Sequence, residues 1–561
     1  MTSAVTLGLR LARRSSMASF ERATGDPAAA QAQCLRSILG ANGDTAFGRT
    51  HGFTGIDDVE SFRHRVPLQD YEDLRPWVAR MVEGEPGVLT AEAPVMFATT
   101  SGTTGEAKLI PVTPSWLARQ AALTRRWTLA ALADHPRCLG GRILGVVSPT
   151  VEGATATGIP LGSMSGLVRD RAPSLVRRRQ AVPQSVALVE DLDDRLFLVM
   201  RLALARPVAA LAMPNATSLL RLAETAEARG EEIVRAVHDG ALGVPGARLS
   251  PEVRACLGAE TRPDRPRALV LARVIEAHGR LVPGACWPGL ELVACWLGGS
   301  AGVHARRLDV HYGSGVARRD LGLLASEGRM TLPLHDGNAA GVLALDSGFF
   351  EFIPEDATAS AVPPTLLAHE LEDGRCYEVV ITGANGLTRY RMHDIVVVQG
   401  AYHRTPRLAF LRKGADLVSV TGEKVHLDQV QGALRAAART GGLDVFQFRL
   451  VPNVDACRHD LLVELRGAPP NGARAAALVA GFDRALAATN QEYAAKRASR
   501  RLGAPHLFVM APGWSEERCR AAFESGRREA QHKWSAMGGT WHPADREAVV
   551  TVAGEVSAPS P

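Results

Sequence analysis

Residues 99–108 read Thr-Thr-Ser-Gly-Thr-Thr-Gly-Glu-Ala-Lys and lie between two apolar runs, PVMF before them and LIPV after them. The two glycines let the backbone approach an anion closely, and the hydroxyls and exposed amides can donate to phosphate oxygens. Lys108 adds a compact, movable positive charge. A flexible polar turn would have a similar composition, but the flanking strands and the final lysine favour a phosphate-binding loop.

This loop differs from a Walker A loop. The spacing from its glycines to Lys108 is wrong for that motif, and Leu109 occupies the position where a Ser or Thr would hold Mg²⁺. The loop therefore predicts phosphate binding of another kind.

Lysine is rare in this chain. Of 64 basic residues only five are lysines, namely Lys108, Lys413, Lys424, Lys496 and Lys533. Arginine fills nearly every other cationic position, so a lysine is a candidate for a site that needs a compact ammonium. The alternative is that the arginine content reflects the base composition of the gene.

Length and composition limit the possible classes of protein. A chain of 561 residues is too long for one ordinary domain, and 46% hydrophobic with 22% charged residues is a globular balance. A net charge of +5 does not predict nucleic-acid binding, and no apolar run is long enough to predict a membrane helix. The eight cysteines are scattered without C-x-x-C spacing, which predicts free thiols in a cytoplasmic protein.

The order of sequence patterns predicts an α/β fold. Helical periodicity covers 26–89, a helix is expected over 114–133, and 184–282 is mostly helical. Strands are expected in LELVACWLGG, DVHYGSG and GFFEFIPED, and two more in the segment from CYEVV to VVVQG. The last part has a compact α+β texture ending in HLFVMAP, and the tail from Val552 has the composition of a frayed end. We predict an N-terminal domain over 1–411, a hinge over 412–416 and a C-terminal domain over 417–561.

The segment TSGTTGEAKLIPVT resembles the phosphate loop of adenylate-forming enzymes. Its surroundings resemble one branch of them, the Gretchen Hagen family of acyl acid amido synthetases. The resemblance extends in the expected order over nearly the whole chain, through TAFGRTHGF, FRHRVPLQDYEDLRPWVARMVEGEP, WPGLELVACWLGG, LLASEGRMTLPL, FFEFIP, GLTRYRMHDIV, NQEYAAKR and GRREAQHKW.

The resemblance implies a fold and a reaction. The fold is a large N-terminal domain of mixed β-sheets with helices and a small mobile C-terminal α+β lid. The reaction uses ATP and Mg²⁺ to adenylate a small carboxylic acid, and then transfers the acyl group to an amine or amino acid. The sequence contains no carrier-protein domain. Thioester formation with coenzyme A and a degenerate nucleotide-binding regulatory protein remain the alternatives.

The resemblance also implies roles for individual residues. Those expected to bind the ATP phosphates are Thr100, Ser101, Gly102, Thr103, Thr104, Gly105 and Lys108. Those expected at the nucleotide are Ala325, Ser326, Asp394 on the ribose, and Arg412. Glu327 is expected to hold Mg²⁺, and Lys533 to act at the reacting carboxylate and α-phosphate.

Each of these roles has a plainer alternative. Glu327 could be a capping or surface residue, Asp394 could form a structural salt bridge with Arg391, and Lys533 could be a surface lysine. His393 is expected to be a packed or hydrogen-bonded neighbour. Leu323 departs from the family, which usually has a tyrosine there to stack on adenine, and the loss is about 1 kcal/mol of aromatic preference.

The pocket for the acid is expected to use three segments. These are 148–165, 214–218 and 296–300.

Overall fold

The computed structural model describes residues 3–100, 108–172, 174–358, 360, 362–414, 417–418, 420–421, 423–499, 502–524, 534–538 and 540–554. The chain divides into two compact units, Met1–Leu411 and Arg412–Pro561. None of the helices in the described ranges combines the length and apolar content that crossing a membrane requires.

The described strands of the N-terminal unit form three larger sheets and one hairpin. In chain order they are β1 (Met96–Thr100), β2 (Lys108–Val112), β3 (Arg142–Leu144), β4 (Val151–Ala154), β5 (Pro160–Gly162), β6 (Val208–Ala212), β7 (Leu292–Ala294), β8 (Ala317–Arg319), β9 (Leu324–Ala325), β10 (Gly328–Arg329), β11 (Thr331–Leu332), β12 (Gly341–Leu343), β13 (Phe349–Pro354), β14 (Cys376–Thr382), β15 (Tyr390–Tyr402) and β16 (Thr405–Lys413).

The sheets differ in strand order and in the direction of neighbouring strands. The first sheet has the order β2-β1-β5-β4, and the second has the order β3-β6-β7-β8 with all its neighbours parallel. The third has the order β11-β12-β16-β15-β14-β13, and β9 and β10 form the separate hairpin. Helices and mixed sheets occur together, which confirms the predicted α/β class.

The described α-helices of this unit lie between residues 3 and 312. They are α1 (Ser3–Gly25), α2 (Pro27–Asn42), α3 (Ala46–Thr50), α4 (Val59–Arg65), α5 (Tyr71–Val82), α6 (Pro114–Asp134), α7 (Met164–Asp170), α8 (Ser174–Arg177), α9 (Leu192–Leu204), α10 (Ala216–Ala228), α11 (Gly230–Asp239), α12 (Pro251–Ala259), α13 (Arg265–His278), α14 (Pro283–Cys286), α15 (Gly299–Ala305) and α16 (Leu308–Tyr312).

Helix α6 shows how the sequence produces one of these helices. Pro114 stands in the first turn, where its missing N–H would have had no intrahelical partner. Trp116, Gln120, Leu123 and Trp127 are buried and follow one another at intervals of three or four residues, so one face of the helix packs against the core. The helix predicted over 114–133 is confirmed.

One strand prediction is wrong. DVHYGSG was expected to be a strand, but residues 308–312 form α16, because Leu308, His311 and Tyr312 are the buried positions and their spacing is helical. The stretch 184–282 is mostly helical, as predicted, and it also contains β6, a continuous apolar run whose first four residues are buried. Such a run is typical of a parallel strand covered on both faces.

The N-terminal helices are joined to strands far along the chain. The side-chain amide of Gln31 on α2 donates to the carbonyls of Leu345 and Gly348 at 2.8 and 3.0 Å and accepts from the Phe350 N–H at 2.7 Å. Thr24 on α1 accepts the Arg404 N–H and the Thr405 hydroxyl through its carbonyl. Helices α1 and α2 therefore belong to the same core as the six-stranded sheet.

The C-terminal unit is a smaller α+β structure. Its described strands are β17 (Leu417–Val418), β18 (Val425–His426), β19 (Val445–Asn453), β20 (Arg458–Leu465), β21 (His506–Met510) and β22 (Val549–Ala553). Its described helices are α17 (Leu427–Gly441), α18 (Gly472–Thr489), α19 (Gln491–Ala498), α20 (Trp514–Glu524) and α21 (Pro543–Glu547).

The main sheet of this unit has the order β19-β20-β21-β22, with β20 and β21 parallel. Val552, where a frayed tail was expected, instead lies in β22 and pairs with Phe508 of β21. The alternation of valine and threonine there fits an edge strand better than a free end.

One buried contact between a carboxylate and an imidazole stands out in the C-terminal unit. Glu423 and His459 are 0% and 1% exposed, and His459 Nε2 lies 2.8 Å from Glu423 Oε1. The Glu423 carboxylate also accepts the Val420 N–H, the Thr421 N–H and the Thr421 hydroxyl. Burial raises the pKa of Glu423, but these hydrogen bonds outweigh burial and lower the pKa to about 2.

Candidate functional site

The predicted phosphate loop begins and ends on two neighbouring strands. Strands β1 and β2 are antiparallel, and Thr100 stands directly opposite Lys108. Strand β5 runs parallel to β1 on its other side, and the Thr99 hydroxyl donates to the Gly162 carbonyl at 3.3 Å. The predicted strand–loop–strand order is thus confirmed at both ends. The residues expected to contact phosphate that lie outside the described ranges are Ser101, Gly102, Thr103, Thr104 and Gly105.

Lys108 lies between two tyrosines. Its ammonium donates to the Tyr390 hydroxyl at 3.2 Å, and it lies 5.3 Å from the Tyr71 ring centroid and 5.8 Å from that of Tyr390. The Tyr71 hydroxyl accepts the Leu109 N–H at 2.6 Å and donates to the Leu109 carbonyl at 3.1 Å, which fixes that ring beside β2. The ammonium is therefore positioned by a hydrogen bond and by two aromatic faces.

Glu327 stands on a tight turn. It follows Ser326 in the two-residue connection between β9 and β10, where Ala325 pairs with Gly328. Gly328 has a φ of +147°, and a Cβ there would lie 3.2 Å from the Gln120 side-chain nitrogen. The turn is thus held closely against α6 while the Glu327 side chain stays half-exposed.

The Tyr390 phenol interacts with the charged residues that the sequence predicts for the site. Burial raises the pKa of Tyr390 well above its usual range, and the carboxylates of Glu327 and Asp394 raise it further. Glu327 also contributes to the raised pKa of Tyr71, after burial as the main cause. Lys108 donates to the same hydroxyl, so the surroundings of Tyr390 include three of the residues that the sequence assigned to ATP.

Asp394 is 3% exposed and lies in a bulge of β15. Glu378 pairs with Ile395 while Val380 pairs with Arg391, so the residues between them on β15 oppose Val379 alone. Arg391 is the salt-bridge partner of Asp394 that the sequence suggests as an alternative. In the structure Arg391 forms its ion pair with Glu378 instead, at 2.9 and 2.8 Å. Bulges of this kind redirect side chains near functional sites.

A buried carboxylate supports the segment that leads to Glu327. Asp320 follows β8, is 3% exposed, and accepts the N–H groups of Leu297 and Gly322 at 2.6 and 2.5 Å. Burial raises the pKa of Asp320 to about 6 against the opposing effect of these hydrogen bonds and of Arg329. Asp320 ties the segment after β7 to the start of the β9–β10 hairpin.

Sequence reasoning missed Asp320, Tyr71 and Tyr390. An aspartate directly after a parallel strand was the available signal for Asp320.

Leu323 is a packing residue. It is 8% exposed within the apolar cluster that includes Met330 and Leu343, and its N–H donates to the Thr331 hydroxyl at 2.8 Å. The position that the family resemblance assigns to adenine stacking therefore contributes here to the core.

The remaining predicted residues belong to the C-terminal unit. Arg412 is 3% exposed, and its Nε lies 3.3 Å from a carboxylate oxygen of Asp428 in the same unit. Lys533 lies outside the described residues, and so do 415 and 416 of the predicted hinge.

A cavity of 670 Å³ lies at the edge of the parallel sheet, and its lining includes none of the predicted site residues. Arg169 and Arg206 line it, but both donate to backbone carbonyls, and Arg206 also pairs with Glu260. These arginines hold the connecting segments of the sheet edge, so we assign no ligand to the cavity.

Two of the segments expected to form the acid pocket, 214–218 and 296–300, lie at the carboxyl ends of the parallel strands β6 and β7, and the third, 148–165, contains β4 and β5. The Met213 N–H donates to Ala294 and the Trp296 N–H donates to Pro214, so the ends of β6 and β7 stay paired as they leave the sheet. Ser163 caps α7 just after β5 by accepting the Gly166 N–H at 3.0 Å. Such an edge is where ligands bind in open α/β sheets.

Three family models match the chain in order. They are the GH3 family N-terminal domain over residues 16–317, the GH3 family central domain over 341–413 and the GH3 family C-terminal domain over 428–537. Together they cover most of the sequence.

Individual relatives agree with these models. A probable indole-3-acetic acid-amido synthetase GH3.12 of Oryza sativa subsp. japonica is 30% identical over 75% of each chain. The jasmonoyl–L-amino acid synthetase JAR4 of Nicotiana attenuata is 24% identical over 78% of each. Among solved structures, the AtGH3.15 acyl acid amido synthetase in complex with 2,4-DB has a TM-score of 0.85 at 20% identity and covers 98% of both chains, which shows a common fold.

Proposed function

Because the chain belongs to the GH3 family, we propose that it is an AMP-forming ligase that joins a small carboxylic acid to an amine or amino acid. The observation that carries the proposal is the gathering of Lys108, Glu327 and Asp394 around Tyr390, beside the strands that bound the phosphate loop. One relative is named a probable indole-3-acetic acid-amido synthetase and another a jasmonoyl–L-amino acid synthetase, which supports small molecules as both substrates.

The reaction has two steps. A carboxylate oxygen of the acid bonds to the α-phosphorus of ATP as the bond to pyrophosphate breaks, giving an acyl-adenylate. The amine nitrogen then bonds to the acyl carbon, AMP leaves with the electron pair of the broken C–O bond, and the amine loses a proton. Both steps bring anions together, so positive groups placed in advance lower the barrier.

The residues are assigned to parts of ATP. Lys108 and the loop from Thr100 to Gly105 would hold the phosphates, and Asp394 would accept hydrogen bonds from the ribose hydroxyls. Ala325, Ser326 and Arg412 would contact the nucleotide, and Lys533 would neutralise the carboxylate and α-phosphate. We propose residues 412–416 as the hinge between the domains 1–411 and 417–561.

Magnesium fits the donor set on the β9–β10 turn. Among the described residues no three His, Cys, Asp or Glu side chains converge as a closed metal site. Mg²⁺ usually takes one or two carboxylates together with substrate phosphates and water, and Glu327 supplies such a carboxylate. Bound there, the cation would neutralise charge on the pyrophosphate leaving group.

A reducing compartment such as the cytoplasm suits this chain. All eight cysteines are free thiols in the structure, and Cys34, Cys286 and Cys295 are buried. Burial raises the pKa of the Cys286 and Cys295 thiols to about 12, so they act as packing groups.

The decisive experiment separates the two half-reactions. ATP–pyrophosphate exchange over a panel of aryl, indolyl and aliphatic acids identifies the acid, and hydroxylamine traps its adenylate. We expect AMP release to require an amine or amino acid. AMP release that requires coenzyme A would indicate a thioester ligase, and no AMP release with any acid would contradict both enzyme activities.

Tyr390→Phe tests how Lys108 is positioned. The substitution removes the hydroxyl that accepts from the Lys108 ammonium and keeps the ring. We expect the Kd for ATP to rise about tenfold, which corresponds to ~1.4 kcal/mol for a hydrogen bond to a charged group. Isothermal titration measures the Kd.

Tyr377→Phe is the matched control. The Tyr377 hydroxyl on β14 accepts the Glu372 N–H at 3.1 Å. ATP affinity should stay unchanged in this variant, and an equal loss in both variants would refute a special role for Tyr390.

A further inference from the structure

The bulge of β15 contains a histidine in a conformation that favours glycine. His393 has a φ of +52°, a region that side chains of L-residues rarely adopt. It precedes Asp394 in the bulge, which lies between the Glu378–Ile395 pair and the Val380–Arg391 pair. A residue held in such a conformation persists only where its surroundings fix it, and these positions concentrate at functional sites.

The imidazole joins two carboxylates from different elements. Its Nε2 lies 2.8 Å from Asp70 Oδ1, just before α5, and its Nδ1 lies 3.2 Å from Glu378 Oε1 on β14. An ionised carboxylate can only accept, and only the imidazolium has two N–H groups with which to serve both contacts at once. The position of the ring between Asp70 and Glu378 therefore favours the charged form of His393.

The neighbouring charges agree with this state. Asp70 faces the ring from the segment before α5, Glu378 from β14 and Arg391 from the same strand. The hydrogen bond to Glu378 raises the pKa of His393 above its ordinary value, against the opposing effects of burial and of Arg391. Arg391 itself is paired with Glu378.

The two contacts of His393 connect directly to the candidate site. Gln69, beside Asp70, donates its N–H to the Arg389 carbonyl and accepts the Arg391 N–H, both at 2.9 Å, which pairs it with Tyr390. Tyr390 positions Lys108, and Asp394 follows His393 in the chain. Loss of the charge on His393 would release the part of β15 that carries Tyr390 and Asp394.

We propose that His393, as an imidazolium, is a positioning residue that clamps the bulge of β15 between Asp70 and Glu378 and so makes nucleotide binding sensitive to pH. This inference rests on the proposed function, because the bound molecule is ATP. The clamp is complete at low pH and is lost as the pH rises through the raised pKa of His393. A neutral ring keeps one N–H and turns a lone pair toward the other carboxylate, which breaks one of the two links.

The test uses His393→Gly, which suits the positive φ and removes the charge. We expect the Kd for ATP to be about tenfold higher than that of the wild-type protein at pH 6, and the ratio of the two values to approach one at pH 9. The ionisation of ATP itself cancels in this ratio. His393→Asn, which also tolerates this conformation, should behave as glycine does.

His403→Asn is the matched control. His403 has a φ of +53° in the same unit, and its ring contacts the Thr24 hydroxyl and no carboxylate of the described residues. Its ATP affinity should follow the wild-type pH profile. NMR titration of the ligand-free protein, with the His393 signal identified by its absence from His393→Gly, should give a pKa above 6.5.

Each contrary outcome has a distinct meaning. A His393 signal that titrates at or below 6.5, or a Kd ratio that does not change with pH, overturns the clamp and leaves the proposed function intact. Failure of the wild-type protein to bind ATP at any pH overturns the proposed function and this inference together.

Discussion

Glu327→Gln is expected to slow acyl-adenylate formation by about 100- to 1000-fold, a loss of roughly 3–4 kcal/mol in transition-state stabilisation. The amide keeps the shape of the side chain but removes the charge that would hold Mg²⁺ on the ATP phosphates. The fold should not suffer, because Glu327 is half-exposed on a two-residue turn that is held by Gly328 against α6. The loss should therefore appear in the chemistry and in the metal requirement.

Pyrophosphate exchange at saturating ATP, repeated over a range of Mg²⁺ concentrations, measures this effect. We expect the Mg²⁺ concentration for half-maximal rate to rise as the maximal rate falls. Glu372→Gln is the matched control, since Glu372 is an exposed acid whose ion-pair partner is Arg375. An exchange rate for Glu327→Gln within threefold of the wild-type rate, at the same Mg²⁺ requirement, would remove Glu327 from metal binding.

Glu423→Gln is expected to destabilise the C-terminal unit by about 3 kcal/mol. The pKa of Glu423 falls from 4.5 to about 2 on folding, and a shift of that size corresponds to roughly 3 kcal/mol of stability at neutral pH. Every described partner of this carboxylate donates to it, and all three hydrogen bonds from Val420 and Thr421 come from N–H or O–H groups. An amide would turn its own N–H groups toward donors, inside a site that is fully buried.

The pH dependence of this effect has a definite sign. The folded pKa is depressed, so the contribution is complete above pH 4.5 and is lost as the pH falls toward 2. The difference in stability between wild-type protein and Glu423→Gln should therefore shrink from about 3 kcal/mol at pH 7 to about 1 kcal/mol at pH 3.

Hydrogen exchange of β19 and β20 in the full chain measures this local stability. Glu492→Gln is the matched control, because Glu492 is exposed and accepts only the Lys424 N–H among its described hydrogen bonds. It should cost less than about 1 kcal/mol. Equal effects of the two substitutions, or a difference that grows on acidification, would contradict this account of the Glu423 pair.

Motifs in the sequence predicted the family, and the family models confirm it. They predicted the strands on both sides of the phosphate loop, the helix that became α6, and the strand pair β14–β15. These features depend on local periodicity and on glycine-rich turns, which are visible within a short stretch of sequence. The roles of the individual site residues stay predictions.

What sequence could not predict depends on contacts between distant segments. Tyr390 and Lys108 are 282 positions apart, and their hydrogen bond depends on the pairing of Gln69 with Tyr390 and on the register of β14 against β15. The strand predicted in DVHYGSG failed for a related reason. Val310 is 63% exposed while Leu308 and Tyr312 are buried, so tertiary packing selected the helix.

The hydrogen bonds between Gln31 and residues 345–350 have a consequence for the synthesis of this protein on the ribosome. The partners of α2 lie up to 319 positions downstream, and those of Thr24 lie 381 positions downstream. At about 5–20 residues per second, a ribosome needs roughly 20 to 80 seconds to synthesise that span. Leu35, Ile38 and Leu39 on α2 are buried in the folded protein, and the packing of α2 against β13 cannot be completed until that strand has been synthesised.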